Sequence, residues 1–380
     1  MFLKKFEYHE FDGQPKSWSL ENFTLETINL LVGKNATGKT NTIQRIAWLG
    51  NMLTGLLPNL LISGNYYAEF ADNDDVYKYY LNLINQMVEM EKLVINGNEM
   101  FTRSSDGIGQ INAIELPGKI RFQLPLDQLV AVSRRDKIQH PYLQKLTDWA
   151  DGLRMYSFSS SLGKDTGFTD NNSTLPLFDS KDPNLVAGLY VKGEQEYPGE
   201  FKRRILKSMA EIGYRLKDMG VGPNPNLILH VINLVHVNMI YIVENDANLS
   251  LFQPDISQGM FRALSLIINV IYNTLKNQST TILIDDIGEG LDFDRSTKLI
   301  KLLINLAEQS NIQLIMTTND RFVMNAVPLE YWQVIQRSGG KCKIYNYENS
   351  KEIFDEFAYT GLNNFDFLAN DFINSIKEYK

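Results

Sequence analysis

The chain is poor in cysteine, in basic residues relative to acidic ones, and in long apolar runs. Cys342 is the single cysteine in 380 residues, which excludes an internal disulfide framework and indicates a reducing compartment. The net charge of −8 argues against a surface that is basic throughout, and so against strong nonspecific binding of nucleic acid. The apolar runs are far shorter than a bilayer span, and the first eleven residues are dense in charge, unlike a signal peptide. We therefore expect a cytoplasmic protein without a membrane segment.

The overall composition is that of a globular protein. Hydrophobic residues make up 44% of the chain and charged residues 22%, which is enough apolar material for a sizeable core. A length of 380 residues exceeds the usual size of one domain. We expect either one large elaborated domain or two lobes.

Residues 33–40 read G-K-N-A-T-G-K-T and match G-x-x-x-x-G-K-[ST] at every fixed position. They follow the apolar run Ile28–Val32 and precede a helix-like segment at 42–49, which is the strand, loop and helix context of a phosphate loop. The two glycines let backbone N–H groups turn toward a phosphate at a helix N-terminus. Lys39 would reach the β- and γ-phosphates of ATP, and the Thr40 hydroxyl would bind Mg²⁺. The predicted nucleotide contacts in this loop are Gly33, Lys34, Asn35, Ala36, Thr37, Gly38, Lys39, Thr40 and Asn41.

An apolar strand predicted at 280–284 ends in two carboxylates, Asp285 and Asp286. A P-loop enzyme needs an Asp at such a strand end to hold the Mg²⁺ that the phosphate-loop hydroxyl also binds. Asp285 is predicted to fill that role. Asp286 is predicted to be the base that orients the attacking water, with Glu289 as a second candidate.

A second helix N-terminus is predicted about twenty residues before the acidic strand end. Ser257 is placed to cap it, and Gly259 follows two residues later. Such an N-terminus can bind an anion, so we predict that both residues contact nucleotide.

The order of elements predicts the fold class. A strand at 280–284, a helix at 296–308 and a strand at 312–316 follow one another, with the phosphate loop far upstream. This arrangement predicts a parallel or mixed core sheet assembled from both ends of the chain. The predicted class is α/β, a P-loop NTPase with an added antiparallel β lobe and a helical insertion.

The chain is predicted to divide into four parts. Residues 1–65 and 230–345 would form the ATPase core, and 66–133 a helix followed by the antiparallel lobe. Residues 134–229 would be a helical and loop-rich insertion, and 346–380 an aromatic, acidic tail.

Several local elements are predicted inside these parts. Tyr79, Leu83, Met87 and Met90 recur at spacings of three or four, which predicts a helix over 66–92. Residues 129–133 are predicted to be a strand, and 200–219 a helix that a Gly- and Pro-rich break at 221–225 ends. The rings of the tail are predicted to cover the core of the protein, with a docking surface for a partner as the alternative.

Four motifs in this order resemble an ABC-type ATPase head of the SMC/RecF kind, the branch that includes OLD-family and related phage-defence ATPases. Residues 33–40 resemble the Walker A loop, 256–260 the signature, 282–286 Walker B, and 290–292 the D-loop. Asn319 stands where the family carries its switch histidine. The family's Q-loop glutamine has two candidates, which are Gln139 and Gln144.

Three positions depart from the family pattern. Asp286 replaces the usual catalytic Glu and is one methylene shorter, Met260 ends the signature, and Asn319 cannot take a proton. The resemblance therefore implies nucleotide binding with slow or conditional ATP hydrolysis.

The resemblance also implies partners. Two heads of this kind sandwich ATP, each phosphate loop facing the signature of the other subunit, so we expect a homodimer or larger assembly. No second catalytic centre is visible, which favours a separately encoded effector, a nuclease or toxin, in anti-phage defence. The alternative is a DNA-repair or recombination ATPase that binds DNA across the dimer, with a set of basic contacts: Arg134, Arg135, Lys202, Arg203 and Arg204.

Overall fold

The computed structural model describes residues 1–57, 59–61, 63–169, 182–231, 233–245 and 250–379. The strands of this part of the chain are β1 Phe2–Glu10, β2 Trp18–Thr24, β3 Ile28–Val32, β4 Ser63–Asp72, β5 Asp75–Ile84, β6 Met87–Ile95, β7 Asn98–Arg103, β8 Ile108–Asn112, β9 Lys119–Gln123, β10 Leu153–Ser157, β11 Phe168–Thr169, β12 Leu216–Val231, β13 Asn233–Glu244, β14 Ser250–Phe252, β15 Thr280–Asp285, β16 Ile312–Thr317, β17 Trp332–Ser338 and β18 Lys341–Asn346. The helices are α1 Lys39–Thr54, α2 Val130–Ser133, α3 Pro141–Gly152, α4 Val186–Glu196, α5 Glu200–Glu211, α6 Gln258–Lys276, α7 Phe293–Glu308, α8 Arg321–Ala326, α9 Lys351–Ala358, α10 Asn364–Ala369 and α11 Phe372–Tyr379.

One long mixed sheet organises the molecule. Its strand order is β10-β15-β16-β3-β17-β18-β2-β1-β4-β5-β6-β7-β8-β9. The strands from β10 to β17 run parallel, and β3 lies between β16 and β17, which come from the other end of the sequence. The predicted α/β class and the parallel core built from both chain ends are confirmed. A smaller sheet holds β11, β13 and β12, with β14 paired to β13.

The central strands are buried on both faces. Every residue of β3, β15 and β16 is buried, as expected for parallel strands covered by helices on both sides. Helices α1 and α3 contribute to one apolar layer, and α6, α7 and the C-terminal helices to the other. The carboxyl ends of these strands therefore meet at one edge of the sheet, where β3 leads toward α1.

The predicted helix over 66–92 is wrong, because this stretch forms β4, β5 and part of β6. Tyr79 and Leu83, four residues apart, are buried on one face of β5 together with Tyr77 and Leu81. A spacing of four suits a strand as well as a helix, since it is also a multiple of two. Left-handed backbone in the turns, at Asn73, Asn85 and Gln86, closes the hairpins.

Four further expectations are corrected. The predicted strand at 129–133 is α2, and the predicted helix at 200–219 ends at Glu211. The predicted break at 221–225 lies inside β12, where the register with β13 shifts after Pro223. The insertion also contributes β10 to the main sheet, parallel to β15, so it is not only helices and loops.

The aromatic tail covers the core of this chain. Phe354, Phe357 and Phe367 are buried and pack against one another, and the Phe367 ring lies 6.2 Å from that of Trp332. Tyr359 is 92% exposed. The prediction that these rings pack on the core is confirmed for the three buried phenylalanines.

A buried carboxylate joins the antiparallel lobe to α2. Glu91 is fully buried, and its pKa is raised by burial. Oε1 accepts hydrogen bonds from the Tyr79 hydroxyl at 3.0 Å and from the Ala131 N–H at 3.0 Å. Oε2 accepts one from the Val130 N–H at 2.6 Å. One side chain therefore satisfies two backbone groups at the start of α2.

We predict that Glu91→Ala destabilises the protein by about 2–4 kcal/mol, because it leaves buried donors without an acceptor. Urea denaturation followed by circular dichroism measures the loss. Glu89→Ala is the matched control, since Glu89 lies on the same strand and is partly exposed. Equal denaturation midpoints for the two variants would contradict the role of Glu91.

Candidate functional site

The loop after β3 depends on its two glycines. Gly38 has φ of 105° and Ala36 has φ of 63°, so the chain passes through left-handed conformations before α1 begins at Lys39. A Cβ on Gly33 would lie 2.6 Å from the carbonyl oxygen of Ile335 on the neighbouring strand β17. The sequence pattern and the geometry therefore agree on a tight loop that ends at a helix N-terminus.

The Lys39 ammonium is enclosed by the loop. Its Nζ donates to the carbonyl oxygens of Gly33 at 2.8 Å and Lys34 at 3.2 Å, and the residue is buried. Burial lowers the pKa of Lys39, and the carboxylates of Asp285 and Asp286 act in the opposite direction. A cation is thus held within the loop that the sequence predicts to bind phosphate, as binding of phosphate oxygens requires.

The Asp285 carboxylate, at the end of β15, joins the end of β16 to the first turn of α1, which follows the glycine loop. Its Oδ1 accepts hydrogen bonds from the Thr40 hydroxyl at 3.1 Å and from the Thr317 hydroxyl at 2.6 Å. The structure therefore brings together the two predicted Mg²⁺ ligands. A hydroxyl and a carboxylate side by side are hard oxygen donors of the kind that Mg²⁺ prefers, so these residues fit the ion. Thr317 was missed in the sequence, although a hydroxyl residue at the end of a buried strand is a usable signal.

Asp286 sits in a strained and negatively charged position. Its φ is 54°, and its N–H donates to the Thr317 hydroxyl at 2.9 Å. Its Oδ1 accepts from the Asn319 amide at 3.1 Å. Burial raises the pKa of Asp286, and the nearby carboxylates of Asp285 and Glu289 raise it further. The group has the higher proton affinity that a general base uses.

Glu289 lies close to Asp286 and remains a second candidate base. The two residues line one cavity of about 400 Å³ together with Ile287, Asn319 and Asp320. Asp320 was not predicted in the sequence, and its carboxylate caps α8 by accepting from the Phe322 N–H at 2.7 Å. The predicted switch position and both candidate bases therefore share one small space.

The signature segment packs against the segment that resembles a D-loop. Ser257 caps α6, its hydroxyl accepting from the Met260 N–H at 3.4 Å. A Cβ on Gly259 would lie 2.6 Å from the Gly290 carbonyl oxygen. Both hydrogen bonds that the structure gives Ser257 lie within its own helix, so it caps α6 and does not bond to the phosphate loop of the same chain.

Arg262 links the signature segment to two other parts of the chain by hydrogen bonds. It donates to the Glu289 carbonyl oxygen at 3.1 Å and to the Ser160 carbonyl oxygen at 3.2 Å. Its position five residues after the capping serine gave no signal in the sequence analysis. The signature helix is thus linked by hydrogen bonds to the segment that follows the Asp285–Asp286 pair.

Neither Q-loop candidate is selected by the structure. The Gln139 amide donates to Glu115 at 3.3 Å, and the Gln144 amide to Asp148 at 2.8 Å. The assignment of this position stays open.

Several of the basic residues named for DNA binding are engaged within the chain. Lys202 forms an ion pair with Asp218, and Arg204 with Glu200 at 2.7 Å. The guanidinium of Arg134 lies 5.1 Å from the centre of the Phe122 ring. Part of the positive charge that the DNA hypothesis needs is therefore used inside the protein.

A glycine loop at a strand end, its lysine, and a hydroxyl of the following helix bonded to a carboxylate at the end of a parallel strand define a P-loop ATPase head of the SMC-like, ABC type. The chain belongs to the family described as "AAA domain, putative AbiEii toxin, Type IV TA system", whose model matches residues 28–325 and so covers well over half of the chain. Proteins of this class bind nucleotide and usually Mg²⁺.

Solved structures of SMC heads are similar in fold. An SMC head bound to the C-terminal winged-helix domain of ScpA matches with a TM-score of 0.53 and 12% identity, over 91% of this chain and 97% of that one. The SMC head of Thermotoga maritima matches at 0.45 and 12%, over 91% and 99%. The SMC head of Pyrococcus furiosus bound to the C-terminal domain of ScpA matches at 0.49 and 11%, over 94% and 99%. No curated protein matches the sequence. In the described residues, no helix has the length and apolar character to cross a membrane.

We predict that Lys39→Ala weakens ATP binding by about a hundredfold or more, because it removes the cation enclosed by the loop. Isothermal titration calorimetry with ATP and Mg²⁺ measures the change. Lys34→Ala is the control: its ammonium is exposed and pairs with Asp371, so only a few-fold loss is expected. Similar losses for the two variants would contradict the role given to Lys39.

Proposed function

We propose that this chain is an ATP-binding and ATP-hydrolysing subunit whose dimerisation depends on ATP. The observation that carries the proposal is the Asp285 carboxylate, which accepts hydrogen bonds from Thr40 of the phosphate loop and from Thr317 of the neighbouring strand. Lys39 interacts electrostatically with both Asp285 and Asp286, which supports one site with a lysine, a hydroxyl and two carboxylates, as transfer of a phosphoryl group to water requires.

Each residue has a defined task in this proposal. Lys39 neutralises charge on the β- and γ-phosphates, and Thr40 with Asp285 would hold Mg²⁺, which supplies further neutralisation. Asp286 orients water and accepts its proton. Asn319 donates to Asp286 and so holds the carboxylate in one orientation.

The same contacts support slow hydrolysis. Asp286 is shorter than Glu and occupies left-handed backbone, which fixes where its carboxylate can reach. The Asn319 amide that faces it donates a hydrogen bond and cannot exchange a proton at neutral pH. We infer that ATP binding is retained and that turnover is low or needs a partner.

Dimerisation is supported by the exposed start of α6. Ser257 is exposed, and the first N–H groups of the helix behind it, at Gln258 and Gly259, precede the first bond within the helix. An anion from outside can therefore approach this N-terminus, and the γ-phosphate of an ATP bound to a second copy has the required charge. Binding across two copies would make ATP the link between them.

The proposal that this switch controls an effector rests on the family alone. The family description names a "putative AbiEii toxin" and a toxin–antitoxin system, which supports a role in defence. A separately encoded nuclease or toxin as partner is our inference by analogy with related ATPases. The proposal places the protein in a reducing, cytoplasmic compartment. DNA repair remains the alternative from the sequence, and no contact in the described residues favours it over defence.

We predict that Ser257→Arg prevents the ATP-induced dimer while leaving ATP binding to the monomer intact, because a bulky cation blocks the start of α6. Light scattering of the purified protein with ATP and Mg²⁺ measures mass, and calorimetry measures binding. Asp286→Asn is the companion variant and should keep or strengthen the dimer, since it retains the phosphate contacts. An ATP-induced dimer in Ser257→Arg would contradict the proposal that the start of α6 in one copy binds the γ-phosphate of ATP in the other copy.

We also predict that kcat falls as the pH falls through the pKa of Asp286, since the base acts only when ionised. Burial and the charges of Asp285 and Glu289 raise this pKa, so the loss begins at higher pH than for an ordinary Asp. Glu289→Gln removes one of these charges and should move the acidic limb to lower pH with kcat retained.

The control for this pH profile is Glu356→Gln, an exposed position on α9 with the same change in net charge. Its profile should equal that of the wild type. Loss of activity in Glu289→Gln, with activity retained in Asp286→Asn, would show that Glu289 is the base and contradict the assignment.

A further inference from the structure

A cavity of about 540 Å³ lies beside the phosphate loop, between the β17–β18 hairpin and the C-terminal helices. We propose that it binds a small organic anion, a ligand with a ring or short apolar body and one negatively charged group. Its volume falls in the range of small-molecule sites, about 300–1,000 Å³. The inference concerns a cavity that adjoins the proposed ATP site and shares Gly33, Lys34 and Thr37 with its loop, and only its coupling to ATP rests on the proposed function.

The cavity has an apolar lining from two sides. Val334 and Tyr345 come from β17 and β18, and Phe367 and Phe372 from α10 and α11. Val334 and Phe367 are buried, whereas Tyr345 and Phe372 are half-buried and offer ring surface. A flat apolar group can be removed from water against these rings.

The rim is positive although the protein as a whole is negative. Arg337, Lys341 and Lys343 are exposed and line the opening. Of the two acidic residues in the lining, Asp371 is paired with Lys34 at 3.2 Å, and the other is Glu21. Local excess of positive charge over an apolar floor selects an anion with an apolar body.

Two of these groups are held in position. The Arg337 guanidinium donates to the carbonyl oxygens of Gly339 at 2.7 Å and Ala36 at 3.2 Å, which places it against the phosphate loop. The Lys343 ammonium lies 5.3 Å from the centre of the Tyr345 ring. A partly fixed cation loses less conformational freedom when it binds an anion.

The cavity adjoins the predicted nucleotide site but differs from it. Gly33, Lys34 and Thr37 contribute to its wall, whereas the groups proposed to act on phosphate and Mg²⁺ do not line it: Lys39, Thr40, Asp285 and Asp286. The Lys34–Asp371 pair and the Arg337–Ala36 contact connect the cavity to the loop. A ligand here should therefore change the affinity for ATP, and ATP should change the affinity for the ligand by the same factor.

The test uses 8-anilinonaphthalene-1-sulfonate, an aromatic anion whose fluorescence rises on binding, with the full-length chain. We expect saturable binding of one molecule per chain. Lys343→Glu should weaken it by about fivefold, which is the scale of one exposed charge contact. Lys301→Glu on α7 is the control, since it changes net charge equally at an exposed position elsewhere. Equal affinities for these two variants would overturn the proposal.

A second variant tests the cavity without changing charge. Leu368→Trp places a larger side chain in the lining and should abolish the saturable fluorescence, with the folded state checked by circular dichroism. Unchanged dye binding in this folded variant would overturn the proposal.

Separate outcomes test the ATP site and the cavity. Lys39→Ala should lose ATP binding and keep dye binding, so failure of the ATP assignment leaves this inference standing. Increasing ATP should change the dye affinity of the wild type only up to a constant value, at which the dye still binds. Complete, competitive displacement of the dye by ATP would show that the cavity belongs to the nucleotide site and would overturn the inference.

Discussion

The hydrogen bonds to one oxygen of Asp285 are the contacts on which the site depends. This oxygen accepts from hydroxyls 245 and 32 residues away in the sequence, Thr40 and Thr317. They meet because β15, β16 and β3 are adjacent parallel strands, whose carboxyl ends share one edge of the sheet. Loss of the strand order would separate the phosphate loop from Asp285, even if the loop kept its own conformation.

The sheet imposes this order through burial. Its central strands are apolar on both faces, so a strand displaced from the core would expose a continuous apolar surface to water. The antiparallel lobe extends the same sheet, and Glu91 joins it to α2 through buried hydrogen bonds. The lobe and the ATPase core are therefore continuous in backbone pairing, and the geometry of the site rests on both layers of the core.

Around this fixed centre, the chemistry is adjusted by a few side chains. Asp286 is shorter than the usual Glu, yet burial and two neighbouring carboxylates raise its pKa. Asn319 donates to it rather than exchanging protons. In the proposed mechanism, binding of phosphate depends on the loop and on Asp285, whereas turnover depends on Asp286, a group whose pKa is raised by its surroundings. The two can vary separately.

The amino-acid sequence by itself determined the phosphate loop, the Asp285–Asp286 pair and the parallel core, because each is marked by a local pattern of glycines, charge or apolar runs. Only the tertiary structure decided that residues 66–92 are strands, since a spacing of four fits both periodicities. It also decided the parts that Thr317 and Arg262 play, and the cavity beside the loop. These depend on contacts between distant segments, and no local pattern encodes which distant segment a side chain will meet.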